Sequence, residues 1–157
     1  MSQEANINVE QSRGPDHSRE ESSLKSIDTT TIKWDSTSFD AFLDQYGIDA
    51  SWEPELPSEG RTALQATTGK IALYEAFFTK CCFRLPTTQF LANTLLKYGV
   101  HITQMTPFGL SRIIHFEATC RSLDMEPSFE RLNVFYALEE ARGGNGWYSL
   151  TARRKVT

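Results

Sequence analysis

Residues 85–136 read LPTTQFLANTLLKYGVHITQMTPFGLSRIIHFEATCRSLDMEPSFERLNVFY, and the punctuation of this stretch decides the fold. Pro86 stands near the start of a first apolar series, Phe90, Leu91, Thr94, Leu95 and Tyr98, whose spacing is that of one broad helical face. Gly99 closes it, since glycine adopts the left-handed conformation that ends a helix at little cost. An extended link through Val100, His101 and Ile102 leads to Thr106 and Pro107, the strongest start signal in the chain. The threonine hydroxyl can accept from an unpaired first-turn amide, and proline lacks only an N–H that would have no partner there. A second helix is therefore expected to about Leu123, with Leu110, Ile113, Ile114, Phe116 and Ala118 on its apolar face and Arg112, Glu117 and Arg121 toward solvent. Ser128 then predicts the cap of a third helix carrying Phe129, Leu132, Phe135, Tyr136 and Leu138. Arg142 falls in its last turn, where the helix dipole favours a cation, and Gly143, Gly144 and Gly146 break it.

Working outward, Ser36, Thr37 and Ser38 offer capping hydroxyls before Phe39, Phe42, Leu43 and Tyr46, which recur at helical spacing. Gly47 ends this helix, and the proline-bearing stretch IDASWEPELPSEG after it reads as an irregular surface connection anchored by Trp52. Residues 70–78, KIALYEAFF, suit either a buried strand or a short helix. A strand is favoured by Gly69 before the run, Pro86 after it and the strand-like segment 147–152. The expected fold is mainly α with a minor β pairing, an α+β arrangement of four helices with a two-stranded sheet formed by 70–78 and 147–152. Its predicted core is Phe39, Phe42, Leu43, Tyr74, Phe90, Leu91, Leu95, Ile113, Ile114, Phe116, Leu132 and Phe135.

The 157 residues suffice for one domain of ordinary size, and 39% apolar with 11% aromatic residues implies that the apolar ones are concentrated in part of the chain. Charge is polarised: residues 1–60 hold 13 acidic and 4 basic side chains, residues 61–157 hold 7 and 12, and the formal net charge is −4. Residues 1–33 have too few apolar side chains to offset their ordering entropy, so they read as a disordered acidic tail, with a domain over 34–154 and a short C-terminal tail at 155–157. With neither a leader pattern nor a long apolar run, the chain is expected to be soluble and intracellular, without a membrane partner. Cys81, Cys82 and Cys120 suggest no disulfide framework, and His17, His101 and His115 lack the partners of a zinc site. No metal or other cofactor is expected.

Several short motifs recur in a family-like order: Arg84-Leu85-Pro86 with Phe90-Leu91, then Gln104-Met105-Thr106-Pro107, Phe116-Glu117 with Cys120-Arg121, Pro127-Ser128 with Phe135-Tyr136, and Gly146-Trp147-Tyr148 before Arg153. In this order and spacing the chain resembles the plant gypsy-type transposase domain family over residues 39–153. The resemblance implies a plant protein derived from a retrotransposon, commonly the N-terminal part of a longer polypeptide. Phe108, Thr87 and Leu150 depart from the family pattern, where asparagine, leucine and an aromatic are common. The family brings no assigned catalytic positions with it.

Integrase-like chemistry needs three carboxylates around two metal ions. Glu75, Glu117, Asp124, Glu126, Glu130, Glu139 and Glu140 are scattered over elements whose charged faces are ordinarily solvated, so no catalytic residue is assigned and a degenerate integrase-like enzyme ranks last. Cys120 with His115 or His101 lacks an orienting acid, and the GGNG segment lacks the lysine and hydroxyl of a phosphate loop. The remaining candidates are a non-catalytic interaction module with an unknown protein partner and a nucleic-acid-binding accessory domain. The second would use Arg142, Arg153, Arg154 and Lys155 for phosphate contacts, with Trp147 and Tyr148 for stacking.

Overall fold

The computed structural model describes residues 34–143 and 146–154, and the acidic tail expected over 1–33 and the tail at 155–157 lie outside them. Within the described residues the chain forms α1 (Ser36–Tyr46), α2 (Glu75–Cys81), α3 (Gln89–Tyr98), α4 (Pro107–Ser122), α5 (Phe129–Phe135), β1 (Tyr136–Glu140) and β2 (Tyr148–Ala152). The fold is thus mainly α with a minor β pairing, as the sequence predicts, with five helices where four were expected.

The three decisive helices begin and end on the residues that signal them. Thr88 caps α3 by accepting from the Leu91 amide at 3.2 Å, and Gly99 ends that helix at φ +67°. Thr106 accepts from the Gly109 amide at 3.0 Å to start α4, with Pro107 in its first turn. Ser128 does the same for α5 through the Arg131 amide at 3.3 Å. In α1 the cap is Asp35, whose carboxylate accepts from the Ser38 amide at 2.8 Å, one position ahead of the expected hydroxyls.

Two expectations fail, and the failures are linked. Residues 70–78 contribute no strand: the backbone is irregular to Tyr74 and then coils as α2, because Phe77, Phe78 and Cys81 fall on one helical face and are buried there. The thiol of Cys81 reaches the Pro107 carbonyl at 2.9 Å, tying α2 to the start of α4. The third predicted helix stops at Phe135, and residues 136–140 become the strand that pairs with β2. Arg153 forces this change, since its amide donates to the Phe135 carbonyl at 2.8 Å and its guanidinium Nε donates to the carbonyls of Asn133 at 2.6 Å and Tyr136 at 3.1 Å. The glycines read as helix breakers instead belong to a hairpin loop, with Gly143 and Gly146 at positive φ and the register Tyr136↔Ala152, Leu138↔Leu150, Glu140↔Tyr148. Arg142 consequently sits in that loop, outside any helix.

The core sits where α2, α4 and β2 meet. Phe77, Met105, Leu110, Ile113, Leu132 and Leu150 are fully buried, and Phe90 and Leu91 join them from α3. Of the predicted core, Phe42, Tyr74, Leu95, Ile114 and Phe116 pack against this centre while partly buried. Phe135 was misassigned: it is 58% exposed, because the chain turns into β1 immediately after it. Glu117 departs the other way. It is 5% exposed, and its carboxylate accepts from the Thr88 hydroxyl at 2.7 Å and from Arg121 at 2.7 and 3.1 Å. A buried carboxylate needs such partners, and here they join the cap of α3 to the outer half of α4.

Candidate functional site

The N-terminal part of the described chain covers the core only partially. Helix α1 buries none of its residues fully, and rests on α2 through rings: Phe42 meets Phe78 edge-on at 5.1 Å, Tyr46 meets it at 5.4 Å, and Trp34 closes over Phe42 at 4.7 Å. After Gly47 the chain crosses residues 48–74 with only two single-turn 3₁₀ segments, Ala50–Trp52 and Ala63–Gln65. Prolines 54 and 57 and the absence of any apolar period leave this band without a ladder of its own.

Lys70 stitches the band together. Its ammonium donates to the Glu53 carbonyl at 2.5 Å and lies 3.7 Å from the Glu55 carboxylate, which also accepts from the Thr67 hydroxyl at 3.1 Å. These groups are exposed enough that each pair contributes little, on the order of 0–1 kcal/mol. Between the band, α1 and the α2–α3 side of the core lies an open groove of about 1010 Å³. Its walls are apolar, with Phe39, Leu43, Leu73, Phe83, Leu95 and Ile102 among them. At its mouth Trp52, Ile71 and Leu96 are 46%, 64% and 78% exposed, an arrangement that a folded chain ordinarily avoids unless something covers it.

Tyr74 forms one end of the groove and bridges it to the hairpin, packing edge-on against Phe77 at 5.3 Å and tilted against Trp147 at 5.2 Å. Its hydroxyl is buried without a hydrogen-bond partner, and burial pushes the phenol up to about 12.

The residues proposed for nucleic acid do not converge. Trp147 is 3% exposed, packed on Ala141 and Tyr74, and presents no stacking face. Tyr148 is half-buried in β2, where its carbonyl accepts from the Thr106 amide at 2.8 Å. The guanidinium of Arg153 is occupied by Asn133 and Tyr136. Arg142 and Arg154 are exposed at opposite ends of a hairpin whose strands are five residues long, which separates them by roughly 16 Å at the usual strand rise. Lys155 lies outside the described residues.

The groups weighed for catalysis are likewise spread or engaged. Among the described residues no three His, Cys, Asp or Glu side chains are grouped to hold a metal ion. Cys120 is buried while His115, five positions earlier on α4, is exposed on a different face. Burial first, and then the neighbouring Cys82, push the Cys81 thiol up to about 11, away from the thiolate that nucleophilic chemistry requires. No described helix is long and apolar enough to cross a membrane. The groove itself escaped sequence reasoning, because its walls come from an aperiodic segment. The signal available was the run of unassigned apolar residues Trp52, Leu56, Leu64 and Ile71. No family model, no curated protein and no solved structure matches the chain.

Proposed function

We propose that this chain is a non-catalytic interaction module that holds an apolar segment of a protein partner in the groove between α1, the 48–74 band and the core. The observation that carries this reading is the exposure of Trp52, Ile71 and Leu96 around an apolar cavity of about 1010 Å³. That volume is at the scale of a built ligand site, and large apolar side chains at its rim are the kind that anchor interfaces. The order of the motifs between Arg84 and Arg153 supports a scaffold derived from a plant mobile element.

The test is selection of binders from a random peptide library on the folded chain, followed by titration against Leu96→Asp and Ile71→Asp variants. Both positions are exposed, so the variants keep the fold. Enriched peptides with two or more large apolar side chains, losing about tenfold or more in affinity on either substitution, are the expected result. Binding indifferent to both substitutions sinks the proposal. A parallel titration with single- and double-stranded oligonucleotides at two salt concentrations separates the nucleic-acid alternative, which requires salt-sensitive binding that falls on replacing Arg142 and Arg154.

A further inference from the structure

A second apolar surface lies on α4 and α5 and shares no lining residue with the groove. Phe116, Cys120 and Leu123 are spaced at four and three residues along α4, and so continue onto the surface the stripe that Ile113 begins in the core. Against this stripe stand Met125 from the following turn and Val134 and Phe135 from the end of α5, with the Phe116 and Phe135 rings 6.2 Å apart. Leu123, Met125, Val134 and Phe135 are 61%, 41%, 68% and 58% exposed, so four of the nine large apolar side chains exposed among the described residues share this one face. Between them is a shallow dimple of about 290 Å³.

The charges around the face select its occupant. Arg121 and Arg131 are balanced by Asp124 and Glu126, so the rim has no net sign to attract a strongly basic or acidic partner. The acids lie in the turn at 124–126 and Arg131 lies on α5. A rim with acids at one end and a base at the other is complementary to itself under a two-fold rotation, which sets the acidic turn of each copy against the arginine of the other. We infer that this α4–α5 face is a homodimer surface, occupied by a second copy of the chain in isologous fashion. An apolar centre with a polar, charge-balanced rim is the anatomy of such interfaces, and the dimple receives an apolar side chain from the facing copy.

The experiment is sedimentation velocity on the full chain up to about 100 μM, a range that reaches dimers of ordinary affinity, with Val134→Lys and Leu123→Lys measured alongside. Both side chains project into solvent, and circular dichroism confirms that each variant is folded. The expected result is a concentration-dependent species of twice the chain mass, with its dissociation constant raised about tenfold or more in each variant. A chain that stays monomeric throughout overturns the inference, and so does a dimer that survives both substitutions unchanged. Because no groove residue is altered, a failure here leaves the groove reading standing, and a failure of the peptide selection leaves this one standing.

Discussion

Gly109 lies so close to Ser149 that a β-carbon added to the glycine would stand 2.8 Å from the serine Cα, with the Leu150 amide nitrogen at 3.0 Å. The contact seats α4 on β2 backbone to backbone. Glycine within a helix costs about 1 kcal/mol against alanine, so a helix free of its neighbour would gain from Gly109→Ala. Here the added atom meets main chain on the opposing strand, which cannot rotate aside. The overpacking penalty of about 1–3 kcal/mol should win, leaving the variant destabilised by about 1–2 kcal/mol. Urea unfolding measures this as a lowered midpoint, and a raised midpoint would mean that β2 slides freely on α4.

Arg153 joins the end of α5 to the start of β1 through a forked set of bonds, with Nη2 reaching the Asn133 side chain at 2.8 Å in addition to the two carbonyls. Removing it as Arg153→Ala should cost about 1–2 kcal/mol, discounted for solvent exposure. Arg153→Lys should recover less than half of that loss, because an ammonium cannot reproduce the planar fork. Chemical denaturation of the three proteins decides it, and full rescue by lysine would reduce the residue to a point charge.

Tyr74 offers the opposite sign. Its hydroxyl has no hydrogen-bond partner, so Tyr74→Phe removes a buried polar group and keeps the ring contacts to Phe77 and Trp147. The variant is expected to be as stable as the parent or more stable by about 1 kcal/mol. The phenol is raised from 10.0 to about 12 in the folded chain, so the neutral form is favoured by folding. Stability is therefore complete below pH 10 and falls as the pH climbs from 10 through 12. That alkaline loss should shrink in Tyr74→Phe, as read by thermal melts at graded pH.

Asp35 governs the acid side of α1. Its hydrogen bonds from Ser38, the backbone amide first, hold the carboxyl below its ordinary 3.8. The cap therefore stabilises α1 above that value and is lost as the pH falls through the lower folded one. The Ser38 amide resonance, followed by NMR below pH 4, should shift with this titration and lose the transition in Asp35→Ala. A Ser38 resonance indifferent to pH would break the assignment.

The legible part of this fold is what local chemistry dictates. Thr106 with Pro107, Gly99 after Tyr98 and Gly47 after Tyr46 each solve a helix-end problem with atoms close by in sequence, so the ends of α1, α3 and α4 can be read directly. The strand β1 cannot. Leu132, Phe135, Tyr136 and Leu138 continue a plausible helical face, and what ends it is Arg153, 17 residues beyond Tyr136. Helix α2 was ambiguous for the same reason, since its burial depends on Pro107 and the rest of the α4 start. The groove was less legible still. Its walls are assembled by folding from an aperiodic segment and three helices, and the basic residues near one another at the C-terminal end of the sequence are parted by the hairpin.

The seat of β2 against Gly109 also sets an order of events during synthesis. Leu150 is fully buried and Ser149 is 2% exposed, yet both follow every helix in the described chain. A nascent polypeptide that has not extended past residue 152 lacks the partner of β1 and leaves Leu110 and Ile113 open to water. Translation can deliver all five helices and still not deliver a closed core, so this interval is when the emerging chain most needs a chaperone.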